Sequence, residues 1–176
     1  IGQEVNNQIL HPLRPFAGKG NEGVANFVRT VKNSIGYVEY AYAKQNNMAH
    51  TQLKNAAGNF VQPSAESFAA AGNADWKNTP GFNIVLTNQA DANAWPISAA
   101  TFILVHKNPT NPENVKNTLK FFDWAYTGGD EAAKSLDFVP FSAESKAIFR
   151  ASWNEVVGKD GKPLFEATAT AASATK

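Results

Sequence analysis

GKGNEGVANFVRTVKNSIGYVEYAYAKQNN, residues 18–47, is the stretch from which the fold is read. It opens on a glycine-rich turn, Gly18-Lys19-Gly20-Asn21-Glu22-Gly23. Val24, Phe27, Val28 and Val31 follow at i, i+3, i+4 and i+7, the spacing of one helical face, which predicts a helix over 21–33. Asn33-Ser34 breaks that period. Ile35 to Tyr42 is rich in β-branched and aromatic residues and predicts a strand.

Outward from this unit the signals are uneven. Residues 1–16 show no clear period, and Pro12 and Pro15 argue against a central strand there; they read as an atypical leader. Downstream, Thr51–Lys54 and Asn59–Gln62 flank Ala57-Gly58 as a hairpin, and Ser64 caps a short helix through Ala71. Gly72 to Asn83 reads as a loop anchored by Trp76. Thr101–Val105 is the most β-prone run. Its lack of alternation predicts a strand covered on both faces, as in a mostly parallel sheet. Asn111, Pro112 and Glu113 open a helix whose buried stripe is Val115, Leu119, Phe122 and Tyr126, and Gly128-Gly129 stops it. Asp123 lies one residue beyond the stripe and is expected to be solvated. A short helix over 130–136 and another capped by Ser142, with Phe149, Trp153 and Val156 inward, precede a turn at Lys159–Lys162. Residues 166–176 are low in complexity and are expected to be a disordered tail.

Composition removes several function classes. Of 176 residues 18% are charged, below the usual quarter or so, and the net charge of +1 gives no field directed at nucleic acid or membrane. There is no cysteine, which excludes disulfides and thiolate catalysis. The longest mostly apolar run, Ala94–Val105, is interrupted by Pro96 and too short to span a bilayer. Ile1 opens without the basic segment and apolar core of a signal peptide, so an exported protein would carry its signal upstream.

Gly18-x-Gly20-x-x-Gly23 matches the letters of a dinucleotide fingerprint, with Glu39 placed 21 positions after Gly18. That fingerprint requires a buried strand immediately before its first glycine, where this chain has His-Pro-Leu-Arg-Pro-Phe-Ala; Glu39 also falls inside its expected strand. Nucleotide binding is therefore set aside. The plainer reading is a turn whose glycines allow positive φ before a helix. A simple anion site at Gly18, Lys19, Gly20 and Asn21 stays open beside it, because free N–H groups at a helix start suit phosphate or sulfate. His11, His50 and His106 lack metal-ligand spacing, and no nucleophile elbow, HExxH or P-loop occurs. Tyr37, Tyr40 and Tyr42 read as sheet packing. The residues alone lead to an α/β protein without catalytic machinery, needing no cofactor or metal.

Taken together, GKGNEGVANFV (18–28), SIGYVEYAYAKQNNMAHTQL (34–53), LTNQADANAWPISAATFILVHK (86–107), LKFFDWAYTGGDEAAKSLDF (119–138) and RASWNEVVGKDGKPLF (150–165) resemble the C-terminal half of the high-affinity phosphate-binding proteins of bacterial ABC transporters. The resemblance implies a periplasmic-binding-protein-like, two-lobed α/β fold that closes on its ligand about a hinge. It implies a periplasmic location, a membrane ABC permease as partner, and phosphate held by backbone N–H groups, hydroxyls, an arginine and a carboxylate. Such an acceptor reads the proton on hydrogen phosphate and refuses sulfate, since a buried acceptor facing no donor is costly. It further implies that 17–94 belongs to one lobe, 95–99 to a crossing segment and 100–165 to the other lobe. The family's arginine–aspartate–serine–glycine–threonine stretch does not occur here; Arg14, Arg29 and Arg150 lack such neighbours. Residues 1–16 differ from the segment that the family places before GKGN; because the resemblance covers only the family's C-terminal half, it implies a missing N-terminal half as a further partner. The leading expectation is thus a non-enzymatic phosphate receptor component. Two other classes are a phosphoesterase, requiring an activated nucleophile or a metal pair, and a surface-interaction or adhesive protein using exposed tyrosines and edge strands.

Overall fold

The computed structural model describes residues 17–166; the leader 1–16 and all of the tail beyond Glu166 lie outside the described residues. The chain divides into two compact units, Ile1–His50 and Thr51–Lys176.

In the first unit, helix α1 spans Gly20–Thr30, with Ala25 buried and Val24, Phe27 and Val28 half-buried on one face. Asn33 adopts a left-handed backbone (φ 63°), and the Ser34 hydroxyl donates to the Val31 carbonyl at 2.6 Å, which together end the helix. Ile35 to Glu39 forms no strand, and Tyr40–Gln45 forms a six-residue helix, α2, where the sequence predicts the strand to continue. The physical reason is that a strand exists only through a partner. None of the described residues pairs with this segment, and Ile35 and Tyr37 are each 87% exposed. Ala41 and Ala43 then favour the local i to i+4 bonds of a helix, and the Ala43 N–H donates to the Glu39 carbonyl at 3.1 Å. Two glycines allow close approach. A Cβ on Gly36 would stand 2.8 Å from Val28 Cγ2 and 2.9 Å from Val24 Cγ1; one on Gly18 would stand 2.3 Å from the Val24 nitrogen.

The second unit begins with the expected hairpin, β1 (Leu53–Lys54) and β2 (Phe60–Val61), antiparallel with Leu53 opposite Val61. Buried Asn55 ties it down: its side-chain N–H₂ donates to the Ala92 carbonyl at 2.9 Å and the Ala94 carbonyl at 3.2 Å. Helix α3 (Ala65–Gly72) is capped by Ser64, whose hydroxyl accepts from the Ser67 N–H at 3.2 Å, while the Ser67 hydroxyl accepts from the Ser64 N–H. Helices α4 (Pro112–Gly128), α5 (Asp130–Ser135) and α6 (Ala143–Ser152) follow as the sequence predicts, with the Asn111 and Ser142 side chains as N-caps.

The core of this unit is aromatic. Trp76, 2% exposed, is the loop anchor anticipated from sequence; its indole N–H donates to the Gly72 carbonyl at 2.9 Å. Its ring meets Phe149 of α6 at 5.2 Å and Phe141 at 5.4 Å, both edge to face. Leu86, Phe82 and Tyr126 complete the cluster.

Three expectations are corrected. Thr101–Val105 forms no strand, and it is exposed rather than covered on both faces: Leu104 is 95% exposed. A mostly parallel sheet is therefore absent among the described residues. Among the described residues the sheet structure is the β1–β2 hairpin and two isolated antiparallel bridges, Thr87 to Ile97 and Val157 to Pro163. Asp123 is not a freely solvated side chain but a partly buried ion-pair partner. Arg150 of α6 reaches its Oδ1 with Nε at 2.8 Å and Nη2 at 2.6 Å, the side chains being 10% and 22% exposed for Arg150 and Asp123. The periodic stripe missed this because Asp123 and Arg150 are 27 residues apart in sequence. Lys146, also buried, pairs with Asp130.

These contacts set three expected outcomes. Asp123→Ala leaves the Arg150 guanidinium buried without its carboxylate and should cost roughly 2–3 kcal/mol, with Asp123 keeping some access to water; chemical denaturation measures it. Gly18→Ala drives a methyl into the Gly23–Val24 backbone, an overpacking worth about 1–3 kcal/mol, and should raise amide exchange over 20–45 while leaving 51–166 unchanged. Burial pushes the Tyr126 phenol above its ordinary pKa. Above about pH 10 the unfolded chain therefore ionises first. The stability from this group is complete below that pH and is lost as pH rises through the folded value. Melting temperatures taken from pH 9 to 11 should fall less steeply in Tyr126→Phe.

Candidate anion site at the glycine-rich turn

The turn is built by backbone crossing itself. Gly18 lies directly against Gly23 and Val24, so the chain doubles back within six residues, and the Gly23 N–H donates to the Lys19 carbonyl at 3.2 Å. Gly20, the first residue of α1, has φ +68°, a conformation that disfavours a side chain. Lys19 is extended, exposed and gives no side-chain cap. Gly18, Lys19, Gly20 and Asn21 thus fall in one turn at the start of an eleven-residue helix.

Two carboxylates share that turn. Glu22 lies in the first turn of α1, with Oε2 only 3.1 Å from where a Gly20 Cβ would be. Glu39 approaches from the segment before α2: the Asn21 amide donates to Glu39 Oε2 at 3.4 Å, and Asn21 Oδ1 accepts from the Glu39 N–H at 3.4 Å. Both place negative charge at the positive end of the helix dipole. Glu39 precedes α2 as its N-cap, not the interior of a strand. The bond between Glu39 and Asn21 has no signal in the sequence, because the pair is 18 residues apart and shares no period.

The other expected residues are scattered. Arg29 donates to the Asn46 carbonyl at 2.9 Å, Arg150 is held by Asp123, and His50 meets the Tyr40 ring edge to face at 5.7 Å. His11 and Arg14 lie outside the described residues. Among the described residues no three His, Cys, Asp or Glu side chains gather as metal ligands, and no helix is long and apolar enough to cross a membrane. In the second unit an open depression of 440 Å³ is lined by Asn108, Pro109, Thr110, Val157, Gly158, Lys159 and Gly161. Its one charged wall residue is Lys159.

No family model matches the chain. Individual proteins do. It is 53% identical over 151 residues to the phosphate-binding protein PstS of Pasteurella multocida, covering 85% of this chain and 44% of that protein. It is 55% identical over 137 residues to the phosphate-binding protein PstS of Haemophilus influenzae, covering 77% and 41%. The phosphate-binding protein PstS of Xylella fastidiosa is 52% identical over 137 residues, with 77% and 38% covered. The chain spans less than half the length of these relatives. Identity above one half along most of this chain is a family relation, and the chain belongs to the PstS phosphate-binding proteins, a family of the periplasmic-binding-protein fold.

Proposed function

We propose that this chain is the C-terminal part of a phosphate-binding component of an ABC-type phosphate importer. It acts by binding and catalyses no reaction. The observation that carries the reading is 52–55% identity, along 77–85% of the chain, to proteins named for phosphate binding. In the whole receptor the fold is two-lobed and α/β, with 17–94 in one lobe, 95–99 crossing and 100–165 in the other. The protein works in the periplasm, takes inorganic phosphate, and delivers it to the membrane permease of the importer. The N-terminal half supplies the arginine, carboxylate and hydroxyl contacts that this sequence does not contain. Gly18, Lys19, Gly20 and Asn21 contribute at most a weak anion contact.

Magnitudes support that division. A micromolar receptor needs roughly 8 kcal/mol of binding free energy. An exposed helix terminus stabilises an anion by about 0.3–1 kcal/mol, reduced further by salt. Here Glu22 and Glu39 already occupy the neighbourhood of the α1 start, and their charge opposes a dianion. Tight capture also requires the ligand to be desolvated against many convergent donors. One turn offers too few.

The 176-residue chain alone should therefore bind phosphate weakly, with salt sensitivity and little preference over sulfate, and Lys19→Ala should weaken it further. Adding a polypeptide that carries the N-terminal half of the Pasteurella multocida relative should restore phosphate-selective binding, read by calorimetry at physiological salt. Micromolar, phosphate-selective binding by the chain alone would show that it holds a complete site. If the two polypeptides form a stable complex that ignores phosphate, the receptor reading is wrong.

A further inference from the structure

The side chain of Asn55 is buried and fully used. Its N–H₂ donates to the Ala92 carbonyl at 2.9 Å and to the Ala94 carbonyl at 3.2 Å, while its Oδ1 accepts from the Asn59 N–H at 3.0 Å. These bonds join stretches that lie 37 and 39 residues apart. Asn59 adds a second tie from the surface, its side-chain N–H₂ donating to the same Ala92 carbonyl at 3.0 Å. The turn that they hold runs directly into a pinned stretch. The Trp95 N–H donates to the Ser67 carbonyl at 2.9 Å, the Trp95 ring meets Phe68 of α3 edge to face, and the Asn88 N–H donates to the Pro96 carbonyl at 2.8 Å. Ala94 is wholly buried. Residues 92–96 are therefore seated on the β1–β2 hairpin and on α3, all inside the second unit.

We propose that Asn55 is a positioning residue for closure of the receptor: it fixes the seat from which the 95–99 crossing leaves its lobe. This rests on the receptor reading above, in which 95–99 passes between the lobes. Asn55 itself touches no ligand. A crossing segment aims two lobes at one another only when its root is rigid, since a small rotation at the root becomes a large displacement at the far surface. The hairpin's own ladder is two residues a side, too short to hold such a root alone. Burial supplies the missing rigidity. Breaking the Asn55 bonds would leave its N–H₂ and the Ala92 and Ala94 carbonyls short of partners in a buried place, which is costly. A looser seat lowers the fraction of molecules whose lobes meet in register, and the apparent dissociation constant rises in inverse proportion to that fraction.

The test uses a full-length receptor, the N-terminal half of the Pasteurella multocida relative joined ahead of residue 17 of this chain, with inorganic phosphate as the probe. Asn55→Ala should raise the phosphate dissociation constant by about tenfold, as a fall of that size in the competent fraction requires. Phosphate should also leave faster, read by stopped-flow tryptophan fluorescence. Asn59→Ala removes only the outer tie and should give a smaller rise in the same direction. In both variants the fall in radius of gyration on adding phosphate, read by X-ray scattering, should shrink. Leu119→Val, at a buried position of α4, separates positioning from stability: it should lower the melting temperature and leave the dissociation constant and the compaction as they are. An unchanged dissociation constant in both asparagine variants, or in Asn59→Ala alone should Asn55→Ala fail to fold, would overturn the proposal. So would an equal rise in Leu119→Val. A receptor with Asn55 intact that binds no phosphate overturns the receptor reading and this proposal with it, whereas one that binds phosphate regardless of both asparagine variants overturns this proposal alone.

Discussion

The burial of one indole holds the second unit together. With two-residue strands as its only ladder, residues 51–166 cannot draw cohesion from a sheet. Trp76 takes that part from a loop position. It gathers Phe149 from α6, Phe141 from the segment before α6, and Leu86 from the run before Trp95. Full burial of a large apolar side chain contributes about 1.5–3 kcal/mol, and edge-to-face ring contacts add to it. α4 joins the same cluster through Tyr126, which also stacks on Trp153 with ring centroids 5.8 Å apart. The pairing of buried Arg150 with half-buried Asp123 then fixes how α4 meets α6. Such a pair is demanding rather than generous: it orients the helices because either charge left alone would be costly.

Helices were legible in the sequence because their causes are local. Ser64, Asn111 and Ser142 each place an oxygen three residues before the N–H they cap, and glycine follows α4 where its period stops. The hairpin was legible for the same reason, through Ala57-Gly58. Strands at 35–42 and 101–105 were misread because β-propensity records fitness for a pleated surface, not the presence of a neighbour. In the first case Gly36 was the missed clue: it fits the backbone against Val24 and Val28 of α1, where a paired strand would want a side chain. In the second, lack of alternation predicts burial on both faces. An isolated apolar run has the same sequence signature, and only pairing separates the two.

The candidate site divides in the same way. Glycines at 18, 20 and 23 announced a tight turn, and the turn is there, with backbone stacked on backbone and a positive φ at Gly20. Its electrostatics were not legible. Glu39 reaches Asn21 from beyond the whole of α1, so its place beside the helix start depends on the path of 31–38. A free helix terminus and one furnished with two carboxylates have the same glycine pattern. They differ in sign at the point where an anion would sit.

That sign bears on how a receptor could be assembled from parts. A helix terminus already served by Glu22 and Glu39 has its dipole partly satisfied, so an incoming dianion gains less there and meets repulsion. For this turn to take part in tight phosphate capture, the carboxylates would have to turn away or face compensating positive charge. Glu39 is held only by long hydrogen bonds of 3.4 Å to Asn21 and is exposed, so moving it costs little. Compensating charge is scarcer: Arg29 is engaged with Asn46, and Lys19 alone stands in the turn. On the proposal that the N-terminal half brings an arginine, the turn would become an anion contact only once that half is in place. Selectivity would then reside in the assembled cleft, and this chain would contribute a glycine-lined wall whose charge is set by its partner.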